Sequence, residues 1–129
     1  MDPSSVIAIL ADEPESLSFR VAIASEETVK ISAAGYLEAA IVLDRRTGHP
    51  ELTLELDRFL GWARASVEPI TAAHARLARD AHRRYGRGSG HPARLNFGDC
   101  FSYALAIETG EPLLFKGDDF SRTDVRSAL

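Results

Sequence analysis

The amino-acid sequence predicts an α/β fold, a parallel sheet of short strands separated by helices that cover both of its faces. Three observations carry this expectation. Segments with apolar residues at helical spacing alternate with short β-branched or apolar runs. No stretch repeats itself or has the composition of a linker, and 129 residues of which 45% are hydrophobic are enough for one ordinary core. The late run "PLLFK" is apolar on consecutive positions, as strands inside a parallel sheet are. Residues 1–129 are therefore read as a single domain.

The elements follow in order. "SSVIAILADE" reads as a first helix, with two serines able to cap it. Pro14 stands where a second helix begins, running as "PESLSFRVAIASEE", and "TVKIS" follows as a strand. Residues 33 to 46 form an apolar helix that stops before Thr47, Gly48, His49 and Pro50. From about Glu51 to Ala65, Leu52, Leu56, Phe59, Leu60 and Ala63 share one helical face, with Trp62 at its edge, where it suits the rim of the core or a protein contact. "SVEPI" is a plausible strand, and Thr71 can cap a helix over "AAHARLARDAHRRY" that ends at Gly86. "RGSGHPARLN" is a loop, Phe97 to Thr109 a helix stopped by Gly110, and "PLLFK" the last strand. Right-handed crossovers between such strands place ligands at their carboxyl ends.

Composition removes several classes. Fifteen Lys plus Arg against nineteen Asp plus Glu leave a net charge of -4, so no bulk positive charge draws the chain to nucleic acid or to an anionic membrane. Cys100 stands alone, the N-terminus lacks a secretory layout, and no apolar run approaches the ~20 residues that span a bilayer, so a cytoplasmic protein is expected. His49, His74, His82 and His91 have no paired ligand spacing with Cys100, which argues against zinc. Gly86, Gly88 and Gly90 follow a helix and not a strand, so they form no nucleotide fingerprint.

The informative residues are acids in apolar surroundings. Glu38 is the one charge between Ile31 and Leu43, and Asp99 the one charge between Leu95 and Ile107. An ionised carboxylate among apolar neighbours costs several kcal/mol unless a cation or several donors meet it. Asp2, ahead of the first helix, and Asp118 with Asp119, after the last strand, complete four acidic loci. Pairing with arginines or capping of backbone would explain Glu38 and Asp99 individually. Convergence of all four into one all-oxygen pocket would suit Mg²⁺ or Mn²⁺.

The order "MDPSSVIAIL", "ISAAGYLEAAIVL", "LNFGDCFSYALA" and "PLLFKGDDFSRTDV" resembles the PIN domain, and within it the VapC-type toxins of bacterial type II toxin-antitoxin pairs, over nearly the whole chain. The resemblance implies a central parallel sheet of about four or five short strands flanked by helices. It also implies a metal-dependent ribonuclease, a homodimer, and a cognate VapB-type antitoxin whose tail lies near the early helices. Carried over by position, Asp2, Glu38 and Asp99 would hold Mg²⁺ or Mn²⁺. Gly117 occupies a place where the family often has an acid, so Asp118 or Asp119 would supply the fourth carboxylate. Pro3 and Ser4 stand where such toxins mostly carry Thr and Ser, and Ser4 would bond an acid of the site or cap a helix. Gly117 and the single residue before Asp2 favour an alternative, a catalytically weak PIN-like module that binds RNA or antitoxin.

Positive charge for a substrate is concentrated in one place. The segment from His74 to Arg94 holds six arginines against one acid. Arg76, Arg79, Arg83 and Arg87 at helical spacing would track a phosphate backbone through their planar forks, although a solvated helix face has the same pattern. Tyr85 and His91 are the aromatic candidates for stacking a base.

Overall fold

The computed structural model describes residues 1–47 and 51–129, apart from the side chains of 46, 47 and 51–53. The helices are α1 (Pro3–Leu10), α2 (Ser16–Ala24), α3 (Ala33–Thr47), α4 (Glu51–Trp62), α5 (Ala72–Tyr85) and α6 (Phe97–Thr109). Strands β1 (Val29–Ser32) and β2 (Ala65–Glu68) pair in parallel, with Val29 opposite Ala65 and Ser32 opposite Glu68. Pro69, which lacks an N–H, follows the last residue of β2. The predicted stop of α3 at residues 48–50 lies outside the described residues, as does the Leu52 side chain.

Two helix starts differ from expectation. The cap of α1 is Asp2 and neither serine: an Asp2 carboxylate oxygen accepts from the Ser4 N–H at 2.9 Å, while the Ser5 hydroxyl donates to the Asp2 carbonyl at 2.7 Å. Helix α2 begins at Ser16, two residues past Pro14, after Asp12 turns the chain with φ of 51°. By contrast α5 runs over the residues expected, because Thr71 accepts from the His74 N–H at 3.1 Å and the His74 ring returns a contact to the Thr71 N–H at 3.3 Å.

The sheet is smaller than the four or five strands expected. Among the described residues it has two, supplemented by single parallel bridges at Gly86–Leu95 and Leu113–Ser127. The "PLLFK" segment runs where a strand would, but it pairs one residue at a time. Leu113 donates to Arg126, the Leu113 carbonyl accepts from Ala128, and the Leu114 carbonyl accepts from the Asp2 N–H at 2.8 Å. Pro112 offers no donor on one side, and Gly117 turns the chain away at φ of 94° on the other. Backbone satisfaction is therefore reached without a ladder.

Two apolar clusters meet at this segment. One gathers Val6, Ile9, Phe19, Ile31, Leu56, Phe59 and Leu60 with Leu114; the other gathers Ala81, Tyr85, Leu95, Tyr103 and Phe120 with Leu113. Leu56, Phe59, Leu60 and Ala63 point inward as their spacing requires, and Trp62 sits half-exposed at the rim, 5.7 Å from Phe59 and beneath the Arg20 guanidinium. Gly86 closes α5 in a space that admits no side chain: a Cβ there would stand 2.4 Å from the His82 carbonyl oxygen. Gly86→Ala is expected to cost about 1–3 kcal/mol, as overpacking against backbone does, and to lower the urea midpoint with an unchanged slope.

Candidate active site

Four acids distant in sequence line one cavity of about 230 Å³: Asp2 ahead of α1, Glu38 on α3, Asp99 on α6 and Asp119 before the short 3₁₀ turn Phe120–Arg122. Asn96 and Lys116 line it as well. Both Asp118 and Asp119 are exposed, but only Asp119 lines the cavity with the other acids. None of Arg76, Arg79, Arg83 and Arg87 lines it.

Three of the four acids are positioned by a local device. Asp2 is buried, its backbone tied to Leu114, and one carboxylate oxygen takes both the Ser4 N–H and the Ser4 hydroxyl. The Ser4 hydroxyl in turn accepts from the Lys116 N–H at 3.0 Å, so Ser4 orients the acid and ties the last segment to it. The other oxygen of Asp2, Oδ1, is buried without a hydrogen-bond partner among the described residues. Asp99 is the third residue of α6 and completes a capping box: it accepts from the Asn96 N–H at 2.7 Å while the Asn96 side chain accepts from the Asp99 N–H at 2.9 Å. Glu38 reaches across to α6 at Gly98, where a Cβ would lie 2.0 Å from Glu38 Oε2. The missing side chain at Gly98 is the space that the carboxylate occupies.

The electrostatics record the crowding. Burial pushes Asp99 up to about 6, and Asp2, Asp119 and Glu38 add to it, against the Asn96 N–H that favours the charged form. Glu38 is raised as well, by burial first and by Asp2 second. The donor set is all oxygen, one oxygen is buried and orphaned, and negative charge is in excess, which together fit a hard divalent cation. Among the described residues no three His, Cys, Asp or Glu side chains stand as a ready-made ligand cluster.

Lys116 brings a positive charge to the rim, where Glu13 and Glu15 hold its ammonium at 2.6 and 3.0 Å. Sequence reasoning passed over it, and over Asn96, although the N-x-x-D pattern at a helix start is a legible capping signal. Cys100 is buried, donates to the Asn96 carbonyl and has its thiol pushed up to about 11 by burial, which makes it a packing residue.

The arginines expected to meet a substrate are all exposed along α5 and just past it. Arg76, Arg83 and Arg87 have no ion-pair partner among the described residues, and Arg79 makes a loose 3.8 Å contact with Asp80. Arg84 is committed elsewhere, to Asp124 at 3.0 Å and to the Tyr85 hydroxyl. Tyr85 is not available for stacking a base: it is buried, with His91 edge-on at 4.9 Å and Tyr103 at 5.8 Å. The accessible aromatic near the acids is Phe97, 78% exposed and edge-on to Phe101 at 5.0 Å.

Comparison with known proteins shows the family to which this fold belongs. The profile of the PIN domain matches residues 1–126. Ribonuclease VapC28 of Mycobacterium tuberculosis is 51% identical over 129 residues, all of this chain and 96% of that protein. Ribonuclease VapC of Mycolicibacterium smegmatis is 48% identical over 125 residues, covering 97% and 95%, and Ribonuclease VapC42 of M. tuberculosis is 46% identical over 128 residues, covering 99% and 97%. Among solved structures, M. tuberculosis VapC20, described as a Sarcin-Ricin loop cleaving toxin, superposes with a TM-score of 0.76 at 22% identity, over 96% of this chain and 93% of that one, which speaks to the fold. The chain belongs to the PIN-domain family, in its VapC branch.

Proposed function

We propose that this protein is a ribonuclease toxin that hydrolyses RNA phosphodiester bonds with Mg²⁺ or Mn²⁺ and acts in the cytoplasm as one PIN domain. The observation that supports it best is the convergence of Asp2, Glu38, Asp99 and Asp119 on one cavity with a buried, unpartnered carboxylate oxygen. On this reading Asp2, Glu38 and Asp99 hold the cation, and Asp119 orients the attacking water or a second ion. The bound cation supplies charge relief on the phosphate and lowers the pKa of water. The chain's own part is to hold the oxygens still: Ser4 fixes Asp2, Asn96 fixes Asp99, and the bare backbone at Gly98 admits Glu38.

Arg76, Arg79, Arg83 and Arg87 carry the flanking backbone of the RNA. Arg79→Ala and Arg83→Ala are each expected to weaken RNA binding and to make its dependence on salt shallower by about one unit of slope, measured by titration at several KCl concentrations. The names of the curated relatives support RNA as substrate; a cognate VapB-type antitoxin and homodimerisation belong to the same reading. The test is incubation of purified protein with total RNA in Mg²⁺, in Mn²⁺ and in EDTA. Cuts that need the metal support the nuclease. RNA retained without any cutting would leave a catalytically weak binding module.

A further inference from the structure

Phe97 is the most exposed large apolar side chain among the described residues, at 78%. Its setting is rigid on both sides. Leu95, two residues earlier, is fully buried, donates to the Tyr85 carbonyl at 2.9 Å and accepts from the Arg87 N–H at 3.0 Å. Asn96 and Asp99 lock the helix start through their reciprocal hydrogen bonds, and Gly98 is pressed against the Glu38 carboxylate. Phe101 meets the ring edge-on at 5.0 Å and 82°. An aromatic ring is thus displayed in solvent, without freedom in its backbone, between two residues that line the acid cavity.

A protein contact of ordinary size draws on a contiguous apolar patch. The ring neighbour of Phe97 is the half-buried Phe101, and its chain neighbours offer little apolar surface: Asn96 and Asp99 are polar and cavity-lining, and Gly98 is bare. One flat apolar face with polar edges matches a nucleobase, whose stacking needs no hydrogen-bond readout. Charge points the same way, since the helix and loop leading into this segment carry Arg76, Arg79, Arg83, Arg87 and Arg94, all exposed. We propose that Phe97 stacks on a nucleobase of single-stranded RNA next to the phosphate held at the acid cavity, a positioning role that sets which nucleotide is favoured beside the cut. This rests on the ribonuclease reading and deepens it.

The test compares wild type with Phe97→Ala, Phe97→Leu and Phe97→Trp as full chains. Binding is read in EDTA on a labelled single-stranded RNA pool of random sequence, and cutting in Mg²⁺ on total bacterial RNA with mapped ends, with Asp99→Asn as the cleavage control. The Ala and Leu variants are expected to bind the pool roughly tenfold more weakly and Trp at least as tightly as wild type, since stacking needs an aromatic face. Cutting at saturating RNA should stay within about twofold, while base preference at one position beside the cut relaxes in Ala and Leu. Leu behaving as wild type would overturn stacking, because bulk apolarity would then suffice. A changed elution volume for the Ala variant would overturn it in favour of a contact between protein chains. Asp99-dependent cutting that no Phe97 variant alters removes the stacking role alone, whereas no Asp99-dependent cutting by wild type removes the ribonuclease reading and this role with it.

Discussion

Asp99→Asn is expected to lower metal-dependent RNA cleavage by about a hundredfold or more, since on the reading proposed above it removes one of the charges that would hold the cation. The substitution is close to isosteric, and the new amide oxygen can still accept from the Asn96 N–H, so α6 keeps its cap. RNA affinity should be retained, because the exposed arginines are untouched. A second readout comes from stability. The Asp99 carboxyl is raised from 3.8 to about 6 in the folded chain, so between those values the folded state holds a proton that the unfolded state has lost. Stability from this group therefore falls as pH rises through the window from about 4 to about 6, and the full penalty is present above it. Without metal, Asp99→Asn should melt higher than wild type at pH 7.5, with the difference closing by pH 4. Mg²⁺ should raise the melting temperature of wild type far more than that of the variant. Equal gains in both proteins would show that Asp99 does not hold the ion.

Gly98→Ala is expected to reduce cleavage by about a hundredfold while leaving the fold intact, a displacement of reacting groups by an ångström or so being enough for such a loss. The added methyl would stand 2.0 Å from Glu38 Oε2, so the carboxylate must swing away. The neighbour that moves is the end of a flexible side chain, and Ala is the better helix former, so net stability should change by less than about 1 kcal/mol. A cycle with Glu38→Ala isolates the cause. Once the carboxylate is gone, the methyl at 98 meets nothing from it, and Gly98→Ala should do little further harm. A similar loss in both backgrounds would mean that the methyl acts on something other than Glu38.

Much of this architecture was legible before any coordinates. Helix α5 begins at the Thr71 cap and ends at Gly86, because a side-chain cap and a glycine against the carbonyl four residues earlier are local features. Glu38 and Asp99 stood out because a charge within an apolar run has to be compensated, and the resemblance supplied the set to which they belong. The third strand failed for the opposite reason. A strand exists by virtue of its partners, and residues 112–116 find theirs singly, at Asp2, Arg126 and Ala128. The choice between Asp118 and Asp119 was equally out of reach, since it depends on the turn at Phe120–Arg122 that brings one of two adjacent carboxylates to the cavity. Lys116 and Phe97 escaped notice because what marks them, a pair of distant glutamates in one case and exposure in the other, is written in three dimensions only.

The thread from Asp2 to Leu114, with Ser4 bonded to Lys116, has a consequence for biosynthesis. Asp2 leaves the ribosome well before the wall it leans on, which is made more than a hundred residues later, and Asp119 follows that wall. Local hairpins of helix, such as α5 against α6, can assemble as they emerge, whereas contacts of such long sequence separation come last. A nascent chain thus carries Asp2 and Asp119 apart until both have been made, and the cavity first exists once the segment through Phe120 has been released to close it. Anything that recognises the closed cavity meets a chain in which all four acids are already present.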